Sequence, residues 1–337
     1  MRLRRPSIIV LALLACLAVA ACGEREEPTG SSATPRRVSL LLDYLPNVDH
    51  AGLYSALADG HFIRANLAVN LQTPSDPASV LKLLAAGRAD LAISYEPDLL
   101  LAREQGVKVM AVGALANKPL TALMSVGKDA ITEPSQLRGK KVGTAGIPYQ
   151  AAYLQTILKR ASVPETTVKV VNVGFNLIPT MLSGKVDATL GAFWNIEGIE
   201  LERRKRKPEI LHLEDLGVPT YDELVIVARE ETVRDDGAMI RRFMQALAKG
   251  TSALAKNPNA GLDPLIRANP DLDRPIQEAQ LQATLPVLQA PAGKPYGWME
   301  PREWDAFARW MEQEGQLKSG AVVQRAFTNE YLPGEGI

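Results

Sequence analysis

The alternation of short apolar runs with amphipathic stretches, which begins at residue 38, most constrains the fold of this chain. Residues 38–42 (VSLLL) and 67–72 (LAVNLQ) have the length and apolar character of buried strands. A helical pattern follows each run, and Asp76 with the proline after it predicts the start of the second helix. Strands that alternate with helices predict an α/β protein with a mostly parallel sheet.

An internal repeat predicts that this α/β pattern occurs twice. Residues 80–93 and 177–190 both have the pattern of a helix, a turn that contains glycine, a basic residue and aspartate, and an apolar strand. We therefore predict two lobes, with residues 38–124 and 225–337 in the first and residues 125–224 in the second. Chance reuse of a helix–strand unit is the alternative interpretation of the repeat.

The first 21 residues have the pattern of an export signal. Three arginines precede an apolar run over residues 8–21, which is too short to cross a hydrocarbon core of about 30 Å. The run ends in LAVAAC, an aliphatic residue and small residues before Cys22, which resembles a bacterial lipoprotein signal. We predict removal of residues 1–21 and attachment of lipid to Cys22.

Two alternatives to lipid attachment at Cys22 stay open. The same pattern fits Cys16, although processing there would leave a shorter apolar core, and an ordinary secretory peptide can carry a cysteine by chance.

Residues 22–37 are rich in Glu, Ser, Thr and Pro, which predicts a flexible tether. The lipid would hold the protein on a bacterial membrane, in the periplasm or at the cell surface.

Composition and motifs disfavour several classes of function for this chain. The chain has 38 Lys and Arg and 38 Asp and Glu, and this formal neutrality disfavours a nucleic-acid partner. Its three histidines lack the paired spacing of a metal site. There is no Gly-x-Ser-x-Gly nucleophile motif, and no dinucleotide fingerprint follows the first strand. We expect a binding protein without a metal or a cofactor rather than an enzyme.

Aromatic and acidic side chains follow three predicted strands, at the sheet edge where α/β proteins bind ligands. A flat heteroaromatic ligand can stack on each ring for about 0.5–1.5 kcal/mol beyond its area burial. A carboxylate can accept a charge-assisted hydrogen bond from a ring amine. The aromatic candidates are Tyr44, Tyr95, Phe193 and Trp194, and the carboxylate candidates are Asp43, Glu96 and Glu197.

Structural roles are the alternatives for these polar residues. Asp43 has the character of a turn-forming residue, and Glu197 that of a carboxylate at a helix start. His50 also fits a helix start, but its position six residues after Tyr44 keeps it near the predicted cleft.

Five segments of the chain resemble the substrate-binding proteins of transporters for thiamine-pyrimidine precursors. They are LDYLPNVDHAGLY from residue 42, the stretch from GRAD at residue 87 to YEPD at residue 95, NVGFN from residue 172, GAFWNIEG from residue 191 and GVPTYDEL from residue 217. The resemblance implies a two-lobed type II periplasmic binding protein with its ligand in an inter-lobe cleft. It also implies delivery of formylaminopyrimidine or hydroxymethylpyrimidine to the permease and ATPase subunits of an ABC transporter.

The same resemblance implies which residues face the ligand. The first lobe would contribute Asp43, Asn47, Tyr95 and Glu96, and the second lobe would contribute Gly174, Phe175 and Asn176. The family usually carries tryptophan where this chain has Tyr44, so the stacking face at that position is smaller here.

Other ligands and another class of function stay open. Riboflavin, a sulfonate or another small aromatic nutrient would suit related binding proteins, and a sensor module with a protein partner is a further alternative. The fold is similar to that of the yeast pyrimidine synthases, which carry a cysteine cluster, whereas this chain has no cysteine after Cys22. A pyrimidine-processing enzyme with His50 as acid or base is therefore the less favoured hypothesis.

Overall fold

The computed structural model describes residues 34–334, so the predicted signal peptide and Cys22 lie outside the described residues. Ten strands form within the described residues: β1 (Arg36–Leu41), β2 (Leu67–Gln72), β3 (Leu91–Ser94), β4 (Val109–Ala116), β5 (Thr121–Val126), β6 (Lys141–Thr144), β7 (Lys169–Asn172), β8 (Ala188–Phe193), β9 (Pro208–His212) and β10 (Leu224–Arg229). Residues 36 and 37 of the predicted tether belong to β1 and therefore to the first sheet.

Helices connect most of these strands and make up most of the C-terminal third. The α-helices of the described residues are α1 (Ala51–Ala58), α2 (His61–Arg64), α3 (Val80–Ala85), α4 (Glu96–Glu104), α5 (Pro148–Arg160), α6 (Leu177–Leu182), α7 (Ile199–Arg203), α8 (Glu230–Asp235), α9 (Gly237–Lys256), α10 (Asn259–Ala268), α11 (Arg274–Thr284) and α12 (Pro301–Gln313). As predicted from its cap, the Asp76 side chain accepts a hydrogen bond from the Ala78 N–H at the turn that leads into α3.

The strands form two sheets with the same topology. The strand order is β2-β1-β3-β10-β4 in the first sheet and β7-β6-β8-β5-β9 in the second. In each sheet the fourth strand, β10 or β5, runs antiparallel to both of its neighbours. The other paired strands, β1 with β2 and β3 and β6 with β7 and β8, run parallel. Each sheet is the centre of one lobe, and the prediction of two similar α/β lobes is confirmed.

The two copies of the sequence repeat occupy equivalent places in these lobes. In both, a glycine with a φ of 70°, Gly87 or Gly184, lies two residues after the end of a short helix, and the next strand follows. The aspartate of each turn then accepts a hydrogen bond from a neighbouring parallel strand of its own sheet, β1 or β6. Asp90 Oδ2 accepts from the Ser39 N–H at 2.8 Å, and Asp187 Oδ2 accepts from the Lys141 N–H at 2.7 Å. The repeated aspartate therefore fastens the turn to the neighbouring strand in both lobes.

The chain crosses between the lobes twice, and the first crossing corrects the predicted boundary at residue 124. Strand β5 pairs with β8 and β9 along its length, so residues 121–126 belong to the second sheet. The first crossing is therefore residues 117–120. The second lies between β9 and β10, at residues 213–223, close to the predicted boundary. The apolar sequence of β5 does not indicate its sheet, because a buried strand has the same pattern in either one.

The C-terminal helices pack on both lobes. Helix α11 reaches the second lobe, where Gln280 Nε2 donates to the Ile196 carbonyl at 2.8 Å. After α12, Gln316 Nε2 donates to the Thr156 hydroxyl of α5 at 2.7 Å. Residues 237–313 are mostly helical. None of the helices within residues 34–334 is long and apolar enough to cross a membrane.

Candidate functional site

A cavity lies where the two lobes meet, next to the ends of β1, β3 and β8. It encloses about 320 Å³ of atom-free space, including its open mouth. Residues from both lobes line it: Asp43, Tyr44, Asn47 and Tyr95 from the first lobe, and Ala145, Ile147, Gln150, Gly191, Phe193, Ile196 and Glu197 from the second. Because the carboxyl ends of these strands point to the space between the sheets, the residues that follow them meet there.

Asp43 is held in this wall by two side chains of its own lobe. Its Oδ1 lies 2.8 Å from His50 Nε2, and its Oδ2 accepts from the Tyr95 hydroxyl at 2.9 Å. The N–H of Asn47 donates to His50 Nδ1 at 3.2 Å, which assigns the proton to Nε2, and Nε2 then donates to Asp43. His50 is fully buried behind the wall, so it orients Asp43 and does not line the cavity.

Glu197 forms the opposite acidic wall. It lies in a single π-helical turn, Trp194–Gly198, directly after β8, and its Oε2 accepts from the Phe193 N–H at 2.8 Å. Burial raises the pKa of the Glu197 carboxyl to about 7. Glu197 therefore lies in the first turn of a helical segment, as the structural alternative predicts, and it also lines the cavity.

Aromatic rings close the sides of the cavity. The rings of Tyr95 and Phe193, from different lobes, stand 6.5 Å apart at 86°. The Tyr44 ring also packs against the Phe175 ring, with the ring centroids 4.9 Å apart, and its hydroxyl donates to the Gly174 carbonyl at 3.4 Å. Tyr44 thereby bridges the two lobes, whereas Gly174 and Phe175 contact Tyr44 but are not among the lining residues.

Several sequence-predicted residues do not reach the cavity lining. Asn176 is exposed at the start of α6, and its Nδ2 donates to the Val173 carbonyl at 3.4 Å. The indole of Trp194 points to the first crossing segment, where it donates to the Pro119 carbonyl at 3.1 Å. The π-helical turn that brings Glu197 to the cavity directs Trp194 away from it.

Glu96 lies at the crossings between the lobes rather than in the cavity lining. Its Oε2 accepts from the Asp222 N–H at 2.8 Å, and Asp222 Oδ2 in turn accepts from the Trp304 indole at 2.7 Å. Burial, with the charge of Asp222 as a second cause, raises the pKa of Glu96 well above its usual value. Glu96 therefore fixes the second crossing segment to the start of α4.

Two residues of the second lobe, Asn195 and Gln150, were missed by sequence reasoning. Asn195 follows Trp194, and its Nδ2 donates at 2.7 Å to Asp49 Oδ1 and to the Thr284 hydroxyl, which ties β8 to the first lobe and to α11. Gln150 lies in the first turn of α5 and is 1% exposed. Asn195 belongs to the GAFWNIEG segment that carries the resemblance, and this segment is a signal for it. For Gln150 the signal is weak: it is a polar residue among the apolar positions of α5.

Hydrogen-bond acceptors dominate the polar part of the lining. Asp43 and Glu197 contribute carboxylates, and no lysine or arginine is among the lining residues. Among the described residues there is also no group of three His, Cys, Asp or Glu side chains that could hold a metal ion. The cavity is therefore suited to a small flat ligand that donates hydrogen bonds rather than to an anion.

Comparison with known proteins identifies the family. The family described as "NMT1/THI5 like" matches residues 47–261, which is more than half of the chain. The chain belongs to the NMT1/THI5-like family. The match includes the cavity residues from Asn47 to Glu197, and Asp43 and Tyr44 lie just before it.

Relatives of this NMT1/THI5-like chain include binding proteins and enzymes. It is 30% identical to the formylaminopyrimidine-binding protein of Halalkalibacterium halodurans, over 95% of this chain and 98% of that protein. It is 22% identical to the 4-amino-5-hydroxymethyl-2-methylpyrimidine phosphate synthase of Legionella pneumophila, over 90% of this chain and 94% of the enzyme.

A solved structure agrees with the fold of this NMT1/THI5-like protein. The alkanesulfonate-binding protein SsuA from Xanthomonas axonopodis pv. citri, bound to MOPS, superposes with a TM-score of 0.67. The match covers 88% of this chain and 99% of SsuA at 16% identity. The prediction of a two-lobed periplasmic binding protein fold is confirmed.

Proposed function

We propose that this protein is an extracytoplasmic solute-binding protein that captures an aminopyrimidine precursor of thiamine, formylaminopyrimidine or hydroxymethylpyrimidine. The observation that carries the proposal is the inter-lobe cavity, in which aromatic rings and two carboxylates converge without a basic side chain. The rings supply stacking faces for a pyrimidine, and the carboxylates accept from its amino group. The similarity to a formylaminopyrimidine-binding protein supports the same ligand class.

The cavity does not favour a sulfonate ligand. A sulfonate brings a negative charge and strong acceptors, which need donors or cations when they leave water. Asp43 and Glu197 would instead repel it, and their remaining lone pairs would stay unpaired. The similarity to SsuA therefore supports the fold and not the ligand.

An enzyme that processes a pyrimidine is the second candidate, because a synthase is among the relatives. The position of His50 disfavours it. Both ring nitrogens of His50 are engaged, by Asn47 and by Asp43, so a proton exchanged with a ligand would require the loss of one of these bonds. The chain also has no cysteine after Cys22.

The membrane anchor and the partners are part of the same proposal. Lipid on Cys22 would hold the protein at the outer face of a bacterial membrane, and residues 23–35 would connect it to β1. A closed, loaded protein would then deliver its ligand to a permease with an ATPase subunit, without a cofactor of its own.

The proposal is tested by thermal unfolding of the purified protein with candidate ligands. A ligand present at 100 times its dissociation constant stabilises the folded state by about 2.7 kcal/mol, which is a readily measured rise in Tm. We expect this rise with hydroxymethylpyrimidine and formylaminopyrimidine, and none with taurine. A rise with taurine or riboflavin but with neither pyrimidine would contradict the proposal. Mass spectrometry of the recovered pyrimidine should find it unmodified, whereas a new product would favour the enzyme.

A further inference from the structure

Gln150 contributes a buried amide to the cavity. It follows Pro148 and Tyr149 in the first turn of α5, and only 1% of its surface is exposed. Its Oε1 is buried and has no hydrogen-bond partner among the described residues. An unpaired buried acceptor destabilises a fold, so such an atom in a ligand cavity indicates a partner that arrives with the ligand.

The other uncharged polar side chains in the lining have partners already. Both atoms of the Asn47 amide are engaged, Nδ2 with the Leu45 carbonyl and Oδ1 with the Asp49 N–H. The Tyr44 and Tyr95 hydroxyls donate to Gly174 and to Asp43. Gln150 is therefore the lining side chain that combines an unpaired acceptor with N–H donors.

Gly191 makes the position of this amide feasible. It lies in β8 with a φ of 113°, and a methyl group added there would lie 2.7 Å from Gln150 Cδ and closer still to Nε2. Any side chain at residue 191 would therefore displace the amide from the cavity wall. Two constraints therefore favour glycine at residue 191: its φ of 113° and the space that the Gln150 amide occupies.

We infer that the Gln150 amide reads the amidine edge of the bound ring, with Oε1 accepting from the exocyclic amino group and Nε2 donating to the adjacent ring nitrogen. A primary amide matches such an edge with two hydrogen bonds, as glutamine does with adenine. Gly191 is the positioning residue for this contact. The inference rests on the proposed function, because it names the part of an aminopyrimidine that the second lobe recognises.

The test is a cycle of two ligands and two proteins, measured by isothermal titration calorimetry. The ligands are 4-amino-5-hydroxymethyl-2-methylpyrimidine and the same compound without its 4-amino group. We expect the wild-type protein to bind the amino compound at least about tenfold more tightly, since loss of the amine leaves the amide unpaired. In Gln150→Leu this preference should fall at least about threefold, because the leucine has no amide to pair and only the carboxylates still accept from the amino group.

Gln155→Leu is the matched control. It makes the same substitution on the exposed face of the same helix, and it should keep the wild-type preference. Gly191→Ala should lower the preference as Gln150→Leu does, because the added methyl group displaces the amide. The ratio of the two affinities separates this effect from a general loss of stability, which would weaken both ligands alike.

Two outcomes overturn the inference while the proposed function stands. One is a wild-type protein that binds both pyrimidines equally, and the other is a Gln150→Leu variant that keeps the wild-type preference. If the wild-type protein binds neither pyrimidine, the proposed function fails on that measurement alone, and the inference fails with it.

Discussion

At the scale of single residues, Glu223 holds the two lobe crossings together. It directly precedes β10, and its Oε2 accepts from the N–H groups of Leu120 and Thr121, each at 2.7 Å, at the end of the first crossing. Oε2 also accepts from the Tyr221 hydroxyl at 2.8 Å, and Oε1 accepts from the Thr121 hydroxyl at 2.9 Å. One fully buried carboxylate thus accepts four hydrogen bonds that join the crossings.

Glu223→Gln should therefore destabilise the protein. The amide keeps one acceptor oxygen but turns N–H donors toward groups that also donate, so buried donors lose their partners. We expect a loss of about 2–3 kcal/mol in the free energy of unfolding, measured by urea denaturation. Glu214→Gln, at an exposed position near the same crossing, should change it by less than about 0.5 kcal/mol. Equal stability of the two variants would contradict the role of Glu223.

At the scale of elements, α9 crosses α1 at a contact without room for side chains. A Cβ atom added at Gly250 of α9 would lie 2.5 Å from the Gly52 carbonyl oxygen and 2.6 Å from Ala56 Cβ of α1. Gly52 faces Thr251 of α9 in the same contact. Paired glycines let the two backbones approach, and this fixes α9 against the first lobe.

Gly250→Ala should weaken this helix pair. Alanine favours a helix by about 1 kcal/mol over glycine, but overpacking typically costs about 1–3 kcal/mol, and here the obstacle is backbone rather than a movable side chain. We expect a net loss of up to about 2 kcal/mol in the free energy of unfolding, from the difference of these effects. Ser252→Ala, on the exposed side of α9, should be neutral or stabilising. A stabilised Gly250→Ala variant would show that the contact is looser than described.

At the scale of the whole molecule, burial raises the pKa of a set of carboxyl groups near the lobe junction. The pKa is about 7 for Asp49, Glu197, Asp222 and Glu223. The folded protein thus holds protons on these groups at a pH where the unfolded chain, with ordinary carboxyl pKa values, has lost them. Between about pH 4 and pH 7, the stability that these protons contribute therefore decreases as the pH rises.

We expect the free energy of unfolding to fall between about pH 4 and pH 7, by at most about 1.4 kcal/mol per pH unit for each such group. Urea denaturation across this range measures the slope. Asp222→Asn, which keeps an oxygen for the Trp304 indole, should make the slope shallower. A slope of the opposite sign would mean that these carboxyl groups are not buried as described.

Ligand affinity should rise with pH, because ionised Glu197 is the better acceptor.

Much of the fold was predictable because it depends on local pattern. Strand β2 has the predicted bounds, and the aspartates of the repeat, Asp90 and Asp187, occupy equivalent turns because each turn is specified by a few neighbouring residues. Strand order within a lobe and the crossing by β5 were not predictable, since they depend on pairing between residues far apart in the sequence.

The sequence by itself determined that residues at the ends of β1, β3 and β8 would meet, because parallel strands direct their carboxyl ends to one edge. For that reason Asp43, Tyr95 and Phe193 line the cavity as expected. Only the tertiary structure decided which neighbouring side chains turn inward: a π-helical turn admits Glu197 and excludes Trp194, and Gly191 leaves space for Gln150. Side-chain direction after a strand depends on the turn geometry and on contacts with distant elements, and the spacing of residues along the chain does not contain this information.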